Sequence, residues 1–385
     1  KKKKLKQSLR GAISPFIVMD VMRAANAREN DGKAVFHLEV GQPGTPAPRK
    51  VREAAAKALE ADLIGYTNAM GIDPLREAIA GHYKSKFDVS VDPARVCVAS
   101  GSSSIFVLAF LAAFDAGDRV AMAAPGYPAY HNILSALGIE TVNLPAGPET
   151  HYQPTVSMLR DLEDPIDGLI VASPSNPAGS MIDVETYREL ATYCRENGIR
   201  LISDEIYQGI SFGDVKDCTA LEFGDDAIII NSFSKYFSMT GWRLGWAVIP
   251  PDLMRAVECL QQNLFISAPA LSQIAAVAAF DCEDELQANI AAYARNREIL
   301  LDGLPKAGFT KFAPADGAFY LYADVRELTN DSEAFCKRML NETGVATTPG
   351  TDFDRMRGKG YVRFSFAHSE ATMIGAVKAL QSWKR

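Results

Sequence analysis

The chain has 385 residues, 48% of them hydrophobic and 23% charged, with a formal net charge of −7. That length buries a large core and leaves room for two folded units, and the composition is that of an ordinary globular protein. A net negative chain has no general attraction for nucleic acid or for an anionic membrane surface, and no apolar run approaches the ~18 to 20 residues that span a bilayer.

The chain begins with a basic run, Lys1 to Lys4, on which no partner is built. Residues 5–15 read as an irregular arm, turning at Ile13, Ser14 and Pro15 into a helix over 16–30 that Asp31 and Gly32 stop. Residues 35–40 alternate like a short strand. They break at Gly41, Gln42, Pro43 and Gly44, where the absence of a side chain brings a backbone N–H close to a ligand. Helices are expected over 48–63 and from Asp73, with Pro74 in the first turn. Beyond Pro93 the texture changes. Short apolar runs at 96–99, 119–124, 140–144, 169–172, 200–203 and 227–230 read as strands, and 244–249 reads as one more. Helices over 105–114 and 184–197 stand among them. This alternation predicts an α/β chain with a mostly parallel sheet flanked by helices. From 281 onward come a helix over 283–304, a strand over 317–322, a helix over 332–341, short runs at 345–348 and 361–366, and a last helix. They read as a smaller α/β unit that the arm and first strand join. The expected division is 1–45 as arm and small-domain segment, 46–280 as the large domain and 281–385 as the small one.

Six cysteines (Cys97, Cys194, Cys218, Cys259, Cys282 and Cys336) are scattered without a CxxC pair, and no leader pattern is visible. Both features fit reduced thiols in a cytoplasmic protein. Five histidines stand apart with no HExxH, so no metal site is expected.

In sheets of this kind ligands sit beyond the carboxyl ends of the strands. Every polar cluster stands there: Ser100 to Ser104, Tyr127, Asn176, Asp204 with Tyr207, and Ser232 with Lys235. Lys235 follows a buried strand, where a charged amine is costly unless paired or neutral. A neutral, desolvated lysine attacks carbonyls and forms Schiff bases. Arg243, between Gly241 and Gly245, would hold with Ser232 the phosphate of an aldehyde cofactor; alternatively the pair is a surface lysine and a loop arginine. Gly101, Ser102 and Ser103 offer free N–H groups and a helix dipole to an anion, and serve equally as helix caps. No P-loop or GxGxxG pattern accompanies them. Asp204 reads as a helix cap, a core ion pair, or a carboxylate that keeps a pyridine nitrogen protonated. Tyr207 and Asn176 reach the same ring's phenolate oxygen, and Tyr127 stacks on its face or is a turn aromatic. Arg363 lies in an alternating strand, either clamping a substrate carboxylate or exposed on the opposite parity to Val362 and Phe364.

The set resembles the fold-type I pyridoxal-phosphate enzymes, specifically the class I/II aminotransferases such as aspartate aminotransferase. The matching pieces are Ser175 to Gly179, Asp204 to Tyr207, Ser232 to Lys235, Gly241 to Gly245 and Val362 to Ser365, in the family's order and spacing. The resemblance implies transamination between an L-amino acid and a 2-oxo acid through pyridoxamine phosphate. It implies that Lys235 carries pyridoxal 5′-phosphate as a Schiff base and later shuttles the substrate proton. Asp204 would hold the pyridinium, Asn176 and Tyr207 the O3′, and Tyr127 the ring face. Gly101, Ser102, Ser103, Ser232 and Arg243 would surround the phosphate. Arg363 would clamp the α-carboxylate, helped by Asn176 and the Gly41 backbone. It further implies a homodimer with the site at the interface, Tyr66 reaching the neighbour's phosphate, and the arm around 13–17 closing the site. Where dicarboxylate-specific relatives place a basic residue, the nearest matches are Ser102 and Gln262. That points to a neutral or hydrophobic side chain, unless an arginine such as Arg23 enters the pocket. A carbon–sulfur or related lyase on the same scaffold keeps the same cofactor residues and stands as the alternative.

Overall fold

The computed structural model describes residues 4–61 and 63–385. Lys1–Lys3 of the basic run, and Asp62 in the helix expected over 48–63, lie outside them.

After the helix Ile17–Asn30 comes β1 (Phe36–His37), shorter than the sequence suggests. It pairs in parallel with β11 (Val345–Ala346), which has only two residues to offer. The rest of the expected strand is still bonded: Leu38 N–H donates to Ala346 and its carbonyl accepts from Ser365. The helices Arg49–Ala61 and Asp73–Phe87 follow.

The large sheet is built from β2 (Val96–Ala99), β3 (Arg119–Ala124), β4 (Glu140–Pro145), β5 (Gly168–Ala172), β6 (Arg200–Asp204), β7 (Ile228–Ser232) and β8 (Gly245–Val248). Its order is β2-β8-β7-β6-β5-β3-β4. The pairings from β4 to β7 are parallel, whereas β8 runs antiparallel to both β7 and β2. Buried apolar runs fit either direction, so sequence does not distinguish them. Ile228, Ile229 and Ile230 are fully buried, as expected for a central strand covered on both faces.

The helix Gly101–Ala113 begins at the end of β2, four residues earlier than the apolar run indicates, with Ile105, Phe106, Leu108 and Phe110 buried. On the other face Trp246 packs with Phe233, Phe237 and Phe280, and its indole N–H donates to Tyr83 Oη at 3.0 Å. Phe233 and Phe237 flank Lys235, so two buried rings pin the segment that carries the amine.

The helices Met254–Leu264 and Ala270–Ala276, which have no counterpart in the sequence reading, lead into the long helix Glu283–Gly303. A four-stranded antiparallel sheet follows, in the order β12-β13-β10-β9: β9 (Lys311–Phe312), β10 (Tyr320–Asp324), β12 (Thr348–Pro349) and β13 (Tyr361–Ser365). The helix Ser332–Thr343 packs on β12 and β13, and Glu370–Gln381 packs on β1 and β11. No helix among the described residues is long and apolar enough to cross a membrane.

Candidate active site

The carboxyl edge of the large sheet and the face of the small one enclose a cavity of about 280 Å³. Gly41, Ser102, Ser103, Tyr127, Asn176, Asp204, Tyr207, Lys235, Arg243 and Arg363 all line it. Ten expected site residues, scattered from 41 to 363, therefore meet in one place.

At one end lies the start of the helix Gly101–Ala113. Ser100 gives it no side-chain cap, so first-turn N–H groups are left for something else. Gly101 has φ +78°, and a Cβ there would stand 2.5 Å from Arg243 Nη2. The glycine thus lets the guanidinium lie against the helix start. Arg243 itself has φ +51°, a left-handed conformation that costs a non-glycine residue energy and recurs at functional sites. Its Nη1 donates to the Thr240 carbonyl at 3.0 Å, and no carboxylate pairs with it among the described residues. A helix N-terminus beside an unpaired guanidinium is a seat for a dianion.

Asp204 closes β6 and is 3% exposed. One carboxylate oxygen accepts from Tyr130 Oη and the other from Ile206 N–H at 3.1 Å. Burial pushes the carboxyl up to about 6, against the pull of Tyr130, Ile206 N–H and Lys235. A cationic ring N–H placed against it would restore full ionisation.

Lys235 opens onto the cavity between these ends, and its Nζ donates to the Gly41 carbonyl at 2.5 Å. Desolvation, helped by Arg363 and Arg243, lowers the amine to about 8. Gly41 is required by its neighbour: a Cβ there would stand 1.8 Å from Tyr320 Oη. That hydroxyl in turn lies 2.6 Å from Tyr207 Oη.

Arg363 on β13 is 3% exposed, so the exposed-parity alternative does not hold. Its guanidinium is sandwiched between Tyr320 at 4.2 Å and Phe353 at 4.8 Å. Nη1 donates to Asn176 Oδ1 at 2.8 Å and Nη2 to the Glu39 carbonyl. Nε has no partner, and no carboxylate pairs with the group among the described residues. A buried cation with an idle N–H is unfavourable until an anion arrives.

Some expected residues lie elsewhere. Gly101 sits beneath Arg243. Ser232 is buried, its hydroxyl 2.9 Å from Ser234 Oγ and 3.2 Å from the Leu244 carbonyl, and Ser234 lines the cavity instead. Tyr66 is 85% exposed and outside the cavity. Gln262 is exposed. Arg23 pairs with Asp20 on the surface, outside the cavity. Phe16, in the arm expected to close the site, lines the cavity, whereas the sequence reading missed Tyr130, Tyr320, Ser234 and the further apolar wall of Val18, Met19 and Val40. Tyr130, three residues after Tyr127 and beside it on one helix start, was within reach of a spacing argument. No cluster of three or more His, Cys, Asp or Glu suited to a metal exists among the described residues.

Residues 33–380 match the family model described as aminotransferase class I and II. The chain belongs to this family. It is 50% identical over 379 residues to a valine–pyruvate aminotransferase of Mycobacterium tuberculosis, covering 98% of each chain. It is 37% identical over 360 residues to a (5-formylfuran-3-yl)methyl phosphate transaminase of Methanocaldococcus jannaschii, covering 92% of each. A crystal structure of an aminotransferase from Mycobacterium tuberculosis superposes with a TM-score of 0.97 at 48% identity, covering 99% of each chain. The protein is thus a fold-type I aminotransferase, from a family whose enzymes use pyridoxal phosphate. The seat at Arg243, the buried carboxylate of Asp204 and the amine of Lys235 fit that cofactor's phosphate, ring nitrogen and aldehyde.

Proposed function

We propose that this aminotransferase exchanges the amino group of a neutral or hydrophobic L-amino acid with a 2-oxo acid, valine and pyruvate being the first pair to test. The observation that carries the reading is Arg363, a buried guanidinium without a carboxylate partner in the cavity that holds Lys235. Two further facts support the side-chain preference. Phe16, Val18, Met19 and Val40 make the nearby wall apolar. The relative at 50% identity carries valine and pyruvate in its name.

In this reading Ser102, Ser103, Ser234 and Arg243, with the N–H groups above Gly101, hold the phosphate of pyridoxal phosphate. Ser232 supports Ser234. Asp204 would pair with the ring nitrogen, Asn176 and Tyr207 would hold the ring's oxygen, and Tyr127 would cover the ring. When bound, the cofactor supplies an aldehyde for the amino group and a ring that spreads negative charge from the α-carbon. Arg363 and Asn176 would hold the substrate carboxylate and so fix how the bonds at the α-carbon are presented. Lys235 Nζ, whose burial favours the free base, would take the proton from the substrate's α-carbon. Gly41 lets its carbonyl reach that amine while leaving room for Tyr320. Tyr130 keeps Asp204 ionised.

A homodimer in the cytoplasm belongs to the same reading. Tyr66, Leu63 and Ile266 are exposed apolar groups of the kind a second subunit covers. The division into 1–45, 46–280 and 281–385 goes with it, supported by β1 pairing across the chain with β11. A donor-by-acceptor screen on purified protein tests the substrate. Valine with pyruvate ranking among the best pairs supports it, whereas preference for aspartate refutes it. Ammonia release without amino exchange would indicate the lyase alternative. Light scattering at a dimer's mass tests the assembly.

A further inference from the structure

The first turn of the helix Ile17–Asn30 stands between two cavities. Phe16, Val18 and Met19 face the substrate cavity. On its other side a second cavity of about 300 Å³ opens, lined by Ser14, Pro15, Ile17, His131, Asp352 and Arg355. Met19 is half exposed, and Phe16, at the N-cap, gives no side-chain cap. Val18 is buried and Phe16 meets Tyr127 edge-on, but the first N–H groups of the helix still need partners.

Those partners come from a residue 335 positions away. Asp352 Oδ1 accepts from Ile17 N–H at 3.1 Å and Oδ2 accepts from Val18 N–H at 3.2 Å. Both carboxylate oxygens of a buried residue are thereby spent on one helix end, where the negative charge also meets the positive end of the helix dipole. The same short segment reaches two other parts of the site. Phe353, the next residue, stacks on Arg363, and its carbonyl accepts from Gly126 N–H in the turn that carries Tyr127.

We propose that Asp352 is a positioning residue: it holds Phe16, Val18 and Met19 as the wall that receives the substrate side chain, from the same segment that braces the carboxylate-binding Arg363. The wall and the clamp then keep a fixed separation, which is what discrimination between side chains of different bulk requires. The donor comparison below rests on the neutral-donor reading; the exchange measurement does not.

The test uses purified holoenzyme with Asp352→Ala and the milder Asp352→Asn, which keeps the volume and one acceptor oxygen. Hydrogen exchange followed by mass spectrometry should show the 16–19 segment exchanging about tenfold faster in Asp352→Ala, with Asp352→Asn between it and the parent. The kcat/KM for valine should fall about tenfold, mainly through KM, while that for alanine falls about twofold or less. The cofactor's absorbance should not change. Unchanged exchange overturns the proposal, and so does an equal loss with both donors or a loss confined to kcat. If the parent enzyme turns over no neutral donor, the substrate reading fails and exchange alone decides the role of Asp352. Should Asp352→Ala not fold, Asp352→Asn carries the same comparisons with smaller effects.

Discussion

The two halves of the cavity are assembled by different means. On the side of the large sheet, each group follows the end of a strand: Ser102 after β2, Tyr127 after β3, Asn176 after β5, Asp204 at the end of β6, Lys235 after β7. Strand pairing alone brings them to one edge. On the other side nothing is consecutive. Arg363 comes from β13, its stacking rings from residues 320 and 353, its carbonyl acceptor from Glu39 and the apolar wall from residues 16–19. The first half depends on local register and the second on long-range packing. On the proposed reading the first half holds the cofactor and the second half receives the substrate.

Substitutions should separate the halves. The largest effect is expected from Lys235→Ala, which removes the amine between the two ends of the cofactor seat. Turnover should fall by more than about a thousandfold and the Schiff-base absorbance should disappear, with the protein still folded. Turnover retained within tenfold would break the assignment of the sheet side. Arg363→Leu should lower kcat/KM about a hundredfold through KM and leave the cofactor absorbance in place, since on the proposed reading Arg363 holds the substrate carboxylate and not the cofactor. Loss of the cofactor in that variant would show that the halves are not separable.

A smaller effect concerns pH. Burial and the neighbouring guanidinium groups of Arg363 and Arg243 lower the Lys235 amine to about 8. Below that pH the amine is protonated and cannot attack an aldehyde; above it the free base prevails. Capture of pyridoxal phosphate by the apoprotein, followed by absorbance, should speed up roughly tenfold per unit below pH 8 and level off above it. A rise continuing past pH 10 would mean an ordinary, solvated lysine. The smallest effect is expected from Tyr130→Phe. Its hydroxyl holds the Asp204 carboxyl down, so its removal raises that group and moves the acid limb of cofactor capture by the apoprotein to higher pH. The change at the optimum should stay within about tenfold.

The same contrast explains what could be read from sequence. The strand-end groups were legible because short apolar runs announce strands and the polar residues follow at once. Arg363 was visible only as one of two parities, and nothing local told which face was buried; its environment comes from residues 39, 176, 320 and 353. The direction of β8 was hidden because a fully buried strand is apolar in either sense. Tyr320 and the Phe16 wall carry no periodic mark of their own. The expected strand over 35–40 was cut to Phe36–His37 because beyond Leu38 the backbone serves the clamp: the Glu39 carbonyl accepts from Arg363, and the Gly41 carbonyl from Lys235.

The reversal of β8 has a further consequence. Ser232 and Gly245 pair directly across the β7–β8 ladder, so the residues between them form a loop shut at its own base. Lys235 and Arg243 both ride in that closed cassette. The separation of the Lys235 amine and the Arg243 guanidinium is therefore set within one short excursion of chain and does not depend on how the two sheets tilt against each other.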